Sequence, residues 1–109
     1  LFPGIKFKII YAATSGRNLE AILGSLSRIA HSFYLTSPMA EFRINEDPRH
    51  LSIQLDARAP ACPRSLYLDP KDAYRAVMDE GIEGSALLIT GSLYLVSYLY
   101  EIVRGSNDG

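Results

Sequence analysis

Residues 85–104 read Ser-Ala-Leu-Leu-Ile-Thr-Gly-Ser-Leu-Tyr-Leu-Val-Ser-Tyr-Leu-Tyr-Glu-Ile-Val-Arg, and this stretch predicts a strand that ends in a turn and continues as a helix. The apolar run at its start lacks polar alternation, which indicates a strand buried on both faces. Gly91 allows a sharp reversal, and Ser92 lies where a hydroxyl can cap the first helical turn. Because a helix N-terminus presents free amides to an anion, Thr90, Gly91 and Ser92 are the predicted substrate-binding residues. A purely structural cap is the alternative for Ser92, and the two roles are compatible. For Thr90 and Gly91 a role in the turn itself is favoured over a role in binding.

Composition limits the class of protein. The 109 residues are 48% hydrophobic and 21% charged, which is typical of one globular domain spanning residues 1–109. The formal net charge of −1 favours neither nucleic acid nor an anionic membrane as a partner. Cys62 is the only cysteine in the sequence, so an internal disulfide is excluded and a cytoplasmic location is expected.

Two further kinds of site are not expected. His31 and His50 have no partner at metal-ligand spacing, and no carboxylate pair is placed for acid–base work, so we predict neither metal ligands nor catalytic residues. The stretch 86–103 approaches the length of a membrane span, but Gly91 and Glu101 interrupt it. A strand followed by a helix explains this stretch more simply than a membrane anchor does.

The rest of the chain alternates between strand and helix patterns. Apolar, β-branched and aromatic runs predict three more strands, at 7–11, 32–36 and 65–68. Apolar residues at spacings of three and four predict a helix over 18–31. Asp69 and Pro70 are an N-cap and a first helical residue, so they predict a helix that runs to Glu80 and ends at Gly81.

The order of these elements predicts an α/β domain with a mainly parallel sheet. A short helix is expected to open at Asp47-Pro48, inside the less regular segment 39–63, and residues 105–109 are expected to be a frayed tail. Ligands of parallel sheets bind at the carboxyl ends of the strands. The loop after the first strand adds Ser15 and Arg17 as weaker substrate-binding candidates, although a lone arginine there is more often solvated.

Residues 89–96, Ile-Thr-Gly-Ser-Leu-Tyr-Leu-Val, resemble the signature near the carboxyl end of bacterial folylpolyglutamate synthase/dihydrofolate synthase, a Mur ligase-type family. Residues 9–12, the next loop and 19–23 resemble a strand, loop and helix of that family. Residues 33–38 resemble its next strand with a Thr-x-Pro, and 69–81 its penultimate helix. The resemblance runs nearly the whole length and implies a Rossmann-like three-layer domain from the carboxyl-terminal part of a ligase.

This resemblance also implies an activity for a larger parent enzyme. The family uses ATP and magnesium to convert a folate or pteroate carboxylate into an acyl phosphate, which the amine of glutamate attacks to form an amide in folate biosynthesis. Its amino-terminal domain binds ATP, and its carboxyl-terminal domain closes over it and helps to hold glutamate. The implied partners are that ATP-binding domain, glutamate and the folate or pteroate, with no cofactor on this chain itself. Ser92 would lie at the glutamate side.

Departures from the family pattern limit the activity that we expect of this chain. It has no Gly-x-x-x-x-Gly-Lys-Ser/Thr loop for a nucleotide triphosphate. It also lacks the family's Asp-x-Ala-His-Asn segment, so the first strand and helix of the domain are expected to be missing. Where the family has Lys-Asp-Lys-Asp, this chain has Ser15-Gly16-Arg17-Asn18. We therefore expect the chain alone to be inactive, and an uncovered sheet edge to produce a homodimer.

One alternative belongs to a different class of protein. The chain could be a small stand-alone α/β interaction or regulatory domain without a catalytic role, in which the Gly-Ser turn is structural only. A phosphate-binding loop and an Asp-x-Ala-His-Asn segment in the upstream polypeptide would favour the ligase.

Overall fold

Strands and helices alternate along residues 5–15, 18–41 and 43–108, which this computed structural model describes. The strands are β1 Lys6–Tyr11, β2 Ala30–Leu35, β3 Arg64–Leu66 and β4 Ser85–Thr90. The helices are α1 Leu19–Ser27, α2 Pro48–Asp56, α3 Pro70–Glu80 and α4 Leu93–Asp108. The predicted α/β class is confirmed.

The four strands form one parallel sheet in the order β3-β2-β1-β4. Ile10, the next-to-last residue of β1, lies opposite Tyr34 of β2 and Ile89 of β4. Because every pairing is parallel, all strands end at the same edge of the sheet, which we call the carboxyl edge. The loops that follow the strands are thereby gathered at this edge.

Helices cover both faces of the sheet and make the predicted three layers. Ile9 and Tyr11 of β1 belong to a buried cluster that includes side chains of α1 and α2. Ile10 and Ala12 belong to a second cluster with side chains of α3 and α4. Successive residues of β1 therefore point to opposite layers, as the two-residue period of a strand requires.

The position of β4 differs from the sequence prediction. The apolar run predicted a strand buried on both faces, yet all six residues of Ser85–Thr90 are half-buried. In the described sheet β4 is an edge strand, whose hydrogen-bonded neighbour is β1. An apolar run indicates that a strand packs against apolar neighbours, but it does not predict where the strand lies in the sheet.

Element boundaries also differ at the end of α1 and at β3. The helix predicted over 18–31 ends at Ser27, because the chain from Ala30 onward pairs with β1 as strand β2. Ile29, which matched the helical period, lies between the two elements, and its carbonyl accepts a hydrogen bond from Phe7 N at 2.7 Å. The strand predicted at 65–68 is the three-residue β3.

The predicted tail is also largely helical. α4 continues through Gly105 to Asp108, so four of the five residues of 105–109 extend the helix. One glycine costs a helix about 1 kcal/mol, which is too little to end a helix already anchored by buried residues. In the described part of the chain, every helix falls short of the length and hydropathy that crossing a bilayer would take.

The caps of α2 and α3 agree with the sequence prediction. Asp47 precedes Pro48 and accepts a hydrogen bond from Arg49 N at 2.8 Å, which confirms the helix expected at this dipeptide. Asp69 caps α3 in the same way through Lys71 N at 2.8 Å. Gly81 ends α3 with a φ of 83°, a conformation that glycine adopts without strain.

A buried lysine ties the sheet to the end of α3. Lys8 is 7% exposed, and its Nζ donates to the Gly81 carbonyl at 2.7 Å and lies 3.4 Å from Glu80 Oε1. The hydroxyl of Tyr34 also donates to Glu80 Oε1. These contacts place positive charge where the helix dipole is negative, which stabilises the end of the helix.

This cluster predicts a pH dependence of stability. The hydrogen bond from Tyr34, reinforced by Lys8, lowers the pKa of Glu80 below its usual 4.5. A carboxyl group with a lowered folded pKa stabilises the fold above the unfolded pKa, and that contribution is lost as the pH falls through the folded value. We expect Tyr34→Phe to lower the free energy of unfolding by about 1 kcal/mol or less at pH 7, since Glu80 is half exposed. The deficit should shrink at pH 3.

Urea titrations of both proteins at the two pH values measure this effect. Tyr67→Phe is the control, because Tyr67 stacks on the Tyr34 ring with centroids 6.4 Å apart. Its deficit should not change between the two pH values. A Tyr34→Phe deficit that stays the same at pH 3 would contradict the assignment to Glu80.

Candidate functional site

The candidate site lies at the carboxyl edge, where the predicted residues follow neighbouring strands. Ser15 comes after β1, and the turn of Thr90, Gly91 and Ser92 joins β4 to α4. Thr90 lies opposite Tyr11 in the register of β1 and β4. The topology therefore brings Ser15 and the turn to the same edge, while Arg17 lies outside the described residues.

Gly91 makes the turn possible through its lack of a side chain. Its φ is 106°, and a Cβ placed there would lie 2.2 Å from the Ala12 carbonyl oxygen and 2.7 Å from Cε1 of Tyr11. These distances are below any real carbon contact, so the backbone of β4 approaches that of β1 as closely as it does because residue 91 is glycine.

Ser92 caps α4, as predicted. Its Oγ accepts a hydrogen bond from Tyr94 N at 3.2 Å, and its carbonyl accepts one from Val96 N at 3.1 Å. The side chain is mostly buried, with 7% of the residue exposed. A serine hydroxyl that accepts one bond still has a proton to donate, so the cap does not preclude a bond from Ser92 to a substrate oxygen.

A groove of about 800 Å³ opens beside this turn, between α1 and the start of α4. Its volume lies within the range of about 300–1,000 Å³ that is usual for small-molecule sites. More of its wall is apolar than polar, and the turn of Thr90, Gly91 and Ser92 contributes polar groups. It is lined by Tyr11, Ala21, Ile22, Ser25, Leu26, Thr90, Gly91, Ser92, Leu93 and Val96.

The segment between β2 and α2 adds a cation that the sequence did not predict. Thr14 and Asn45 form an antiparallel bridge, and Ser15 N donates to the Ile44 carbonyl at 2.8 Å. These bonds hold the segment against the loop after β1. The Arg43 guanidinium consequently lies 6.0 Å from the centre of the Tyr94 ring, at the first turn of α4.

No sequence pattern predicted that Arg43 and Tyr94 would lie together at the candidate site. Arg43 lies in the segment with the least regular pattern, and Tyr94 matched the helical spacing of core residues. That spacing is typical of a core residue, but Tyr94 is 45% exposed. Ser15 donates its backbone amide to the Ile44 carbonyl of the neighbouring segment and is exposed, which leaves its hydroxyl at the surface.

Two pairs of charged groups at the start of α2 make structural contacts. The hydrogen bonds from Arg49 lower the pKa of Asp47 to about 2, so its carboxylate is fully charged at neutral pH. Glu46 Oε1 lies 2.8 Å from Nδ1 of His50. Within residues 5–15, 18–41 and 43–108, no group of three His, Cys, Asp or Glu side chains is placed to hold a metal ion.

Comparison with solved structures relates this geometry to known proteins. FolC of Escherichia coli in complex with ADP matches 100% of this chain with 25% of its own, at 15% identity and a TM-score of 0.82. Folylpolyglutamate synthase of Mycobacterium tuberculosis complexed with ADP matches 89% of this chain with 23% of its own, at 13% identity and a TM-score of 0.78. The chain has the fold of a folylpolyglutamate synthase domain.

The resemblance noted in the sequence is thereby confirmed at the level of the fold. A bifunctional folylpolyglutamate synthase/dihydrofolate synthase with Mn, AMPPNP and L-glutamate bound matches 93% of this chain with 23% of its own, at 16% identity and a TM-score of 0.72. The chain spans about a quarter of the length of these folylpolyglutamate synthase structures. No protein-family model matches the chain, and no curated protein sequence does.

Thr36, the residue directly after β2, allows a test of how the carboxyl edge is packed. Its Oγ1 is fully buried and has no hydrogen-bond partner among the described residues. An unpaired buried hydroxyl costs about 1–3 kcal/mol, so Thr36→Val is expected to leave the free energy of unfolding unchanged or raise it by about 1 kcal/mol. Denaturant unfolding measures this change. A loss above 1 kcal/mol would show that the hydroxyl has a partner, such as an ordered water.

Proposed function

We propose that this chain is the substrate-closing, carboxyl-terminal domain of an ATP-dependent ligase that adds L-glutamate to a folate or dihydropteroate. The supporting observation is the likeness in fold, which extends over 83% to 100% of the chain in synthase structures. Those structures contain ADP in some cases, and Mn, AMPPNP and L-glutamate in another. A cytoplasmic location is part of the proposal, because Cys62 is a free thiol.

The proposed reaction has two steps. The γ-phosphoryl group of ATP passes to the substrate carboxylate, which gives an acyl phosphate and ADP. The amine of glutamate then attacks the acyl carbon, the bond to the phosphate oxygen breaks, and an amide, inorganic phosphate and a proton are released. The part assigned to this chain is binding: the Ser92 hydroxyl and the amides of the first turn of α4 donate to an anionic oxygen of the substrate.

ATP and magnesium do not fit this chain on its own. The sequence contains no phosphate-binding loop, and the described residues provide no cluster of metal-ligating side chains. We therefore assign no catalytic residue here and route no step through either group. The ATP-binding domain is the proposed partner that would supply both.

The experiment compares the complete polypeptide that carries this chain with residues 1–109 alone. We expect glutamate- and folate-dependent phosphate release from the complete polypeptide and none from the isolated chain. Turnover by residues 1–109 would refute the proposal. A complete polypeptide without a phosphate-binding loop would favour the stand-alone interaction domain.

A substitution at Ser92 separates binding from capping. Glycine costs a helix N-cap only a few tenths of a kcal/mol, so Ser92→Gly keeps the start of α4 and removes the hydroxyl. If the hydroxyl donates to a charged oxygen, kcat/KM for glutamate in the complete polypeptide should fall about tenfold or more.

Ser97→Gly is the matched control, since Ser97 is an exposed residue of the same helix. It removes a hydroxyl from α4 without touching the groove. If the two variants have the same kcat/KM, Ser92 has only its capping role.

The edge of β4 is where we propose that the isolated chain forms a homodimer. β4 offers six residues without a charge or a proline, whereas the opposite edge, β3, has three residues and includes Arg64. Long uncharged edges pair readily with another strand. Light scattering on residues 1–109 is expected to give twice the monomer mass, and a monodisperse monomer would contradict this expectation.

A further inference from the structure

The arginine beside the candidate site has no acidic partner. Arg43 is exposed and forms no ion pair with any described residue. By contrast, the guanidinium of Arg49 at the start of α2 lies 2.7 Å from the carboxylate of Asp47. A guanidinium presents N–H donors in one plane and can bind both oxygens of a carboxylate. The donors of Arg43 are therefore available to an anionic group from outside the chain.

The backbone on the two sides of Arg43 is tied together by Asn45. The side-chain oxygen of Asn45 accepts a hydrogen bond from Ala40 N at 3.1 Å, and its Nδ2 donates to the Ala40 carbonyl at 3.2 Å. Asn45 also forms the antiparallel bridge to Thr14, which fixes this backbone to the loop after β1. Because the backbone is held in place, less conformational entropy is lost when the arginine binds a ligand.

Arg43 and the groove meet the first turn of α4 at different places. Leu93 and Val96 line the groove, whereas Tyr94 lies about 100° further round the helix axis from Leu93 and does not line it. The Arg43 guanidinium is 6.0 Å from the centre of the Tyr94 ring, so it lies beside the groove. Tyr94 N donates to Ser92 Oγ at 3.2 Å, which places Ser92 and the ring near Arg43 in the same helical turn.

The amino-acid substrate of the proposed reaction has two anionic groups. The proposed function gives one anionic oxygen to Ser92 and the first turn of α4, which leaves a second carboxylate without a partner on this chain. Removing a carboxylate from water is costly unless a cation or hydrogen-bond donors replace the lost water. Arg43 is a cation held beside the same helical turn, and its donors are unused.

We propose that Arg43 is a specificity-determining residue that binds the side-chain carboxylate of glutamate. This inference rests on the proposed function. The α-carboxylate is attached to the same carbon as the reacting amine, so it stays near the acyl carbon and is assigned to Ser92. The side-chain carboxylate is two methylene groups further along and is assigned to Arg43, which lies outside the groove lining.

This assignment predicts selection between glutamate and glutamine. Glutamine has nearly the same shape, but a neutral amide replaces its side-chain carboxylate. A hydrogen bond between two charged groups is about twice as strong as one between neutral groups. Arg43 should therefore favour glutamate, and the preference should depend on its guanidinium.

The test uses the complete polypeptide with Arg43→Gln, which removes the charge, and Arg43→Lys, which keeps it. Arg49→Gln is the matched control, because it removes the same charge from an arginine that is already paired with Asp47. Calorimetric titration measures the Kd for L-glutamate in the presence of AMPPNP and folate. Phosphate release gives kcat and KM with glutamate and with glutamine, and thermal unfolding checks that each variant folds.

We expect Arg43→Gln to weaken glutamate binding about tenfold or more, because a charge-assisted pair is lost. Its kcat at saturating glutamate should stay within about threefold of the wild type, since Arg43 binds a part of the substrate that does not react. The preference for glutamate over glutamine in kcat/KM should fall about tenfold. Arg43→Lys should keep part of this preference, and Arg49→Gln should stay within about twofold of the wild type.

The same measurements can overturn the inference. Equal glutamate affinity in Arg43→Gln and the wild type would do so, as would an equal loss in Arg49→Gln, an unchanged preference for glutamate over glutamine, or a wild type that does not bind glutamate. A wild type that binds glutamate through Arg43 but releases no phosphate supports the inference and overturns the proposed ligase activity.

Discussion

Replacing Gly91 with alanine is expected to lower the free energy of unfolding by about 2–6 kcal/mol, the sum of backbone strain and overpacking. The backbone at Gly91 has a φ of 106°, which L-residues rarely adopt, and the new Cβ would lie 2.2 Å from the Ala12 carbonyl oxygen. That oxygen belongs to the buried residue directly after β1, an inner strand of the sheet, so relieving the contact requires the ends of β1 and β4 to separate. Since a domain of this size has a total stability of about 5–15 kcal/mol, the loss is large.

Two other glycines separate the causes of this loss. Gly84 also has a positive φ, 75°, but nothing lies within 4 Å of its Cβ position, so Gly84→Ala should cost only the strain of about 1–2 kcal/mol. Gly105 lies within α4 with open space around it, so Gly105→Ala should stabilise the chain by up to about 1 kcal/mol. Calorimetry or circular dichroism of the three variants gives the ranking. If Gly84→Ala and Gly91→Ala lower the free energy of unfolding equally, the close approach of residue 91 to Ala12 does not contribute to the loss.

The second large effect is expected at Leu51 of α2. This residue is fully buried in the cluster that joins α1 and α2 to the sheet, among Leu23, Phe33 and Leu55. Leu51→Ala leaves a cavity there and should cost about 2–5 kcal/mol. The loss would extend to the site, because α2 follows the segment that holds Arg43 beside Tyr94.

Ile53→Ala is the comparison for Leu51→Ala on the same helix. Ile53 is 63% exposed, so its truncation should change the free energy of unfolding by no more than about 0.5 kcal/mol. Urea titration measures both variants. If Leu51→Ala costs less than 1 kcal/mol, α2 does not pack on the sheet as described.

The caps and turns were predictable because they depend on neighbouring residues. Asp47 with Pro48, Asp69 with Pro70, and Ser92 after Gly91 each combine a side-chain acceptor with backbone that favours a helix start. The order of the elements and the parallel sheet followed from the same local signals. These features also located the candidate site at the turn before α4.

Features that depend on distant residues were not predictable in the same way. The end of α1 at Ser27 is decided by the pairing of β2 with β1, which takes over residues that fit a helical period. The edge position of β4 depends on which strands flank it, and hydrophobicity does not carry that information. Arg43 reaches Tyr94 because Thr14 and Asn45 bridge two loops that are far apart in sequence.

Local residue types therefore specify the alternating strands and helices, the caps and the glycine turn, since each needs only a few adjacent residues. Only the folded structure decides how these elements are placed relative to one another. It brings the backbone of Gly91 against Ala12, leaves β4 at an edge of the described sheet, and places side chains of α1 and of the start of α4 around one groove. The physical reason is that a parallel sheet collects the ends of all its strands at one edge, so residues far apart in sequence become neighbours once the strands pair.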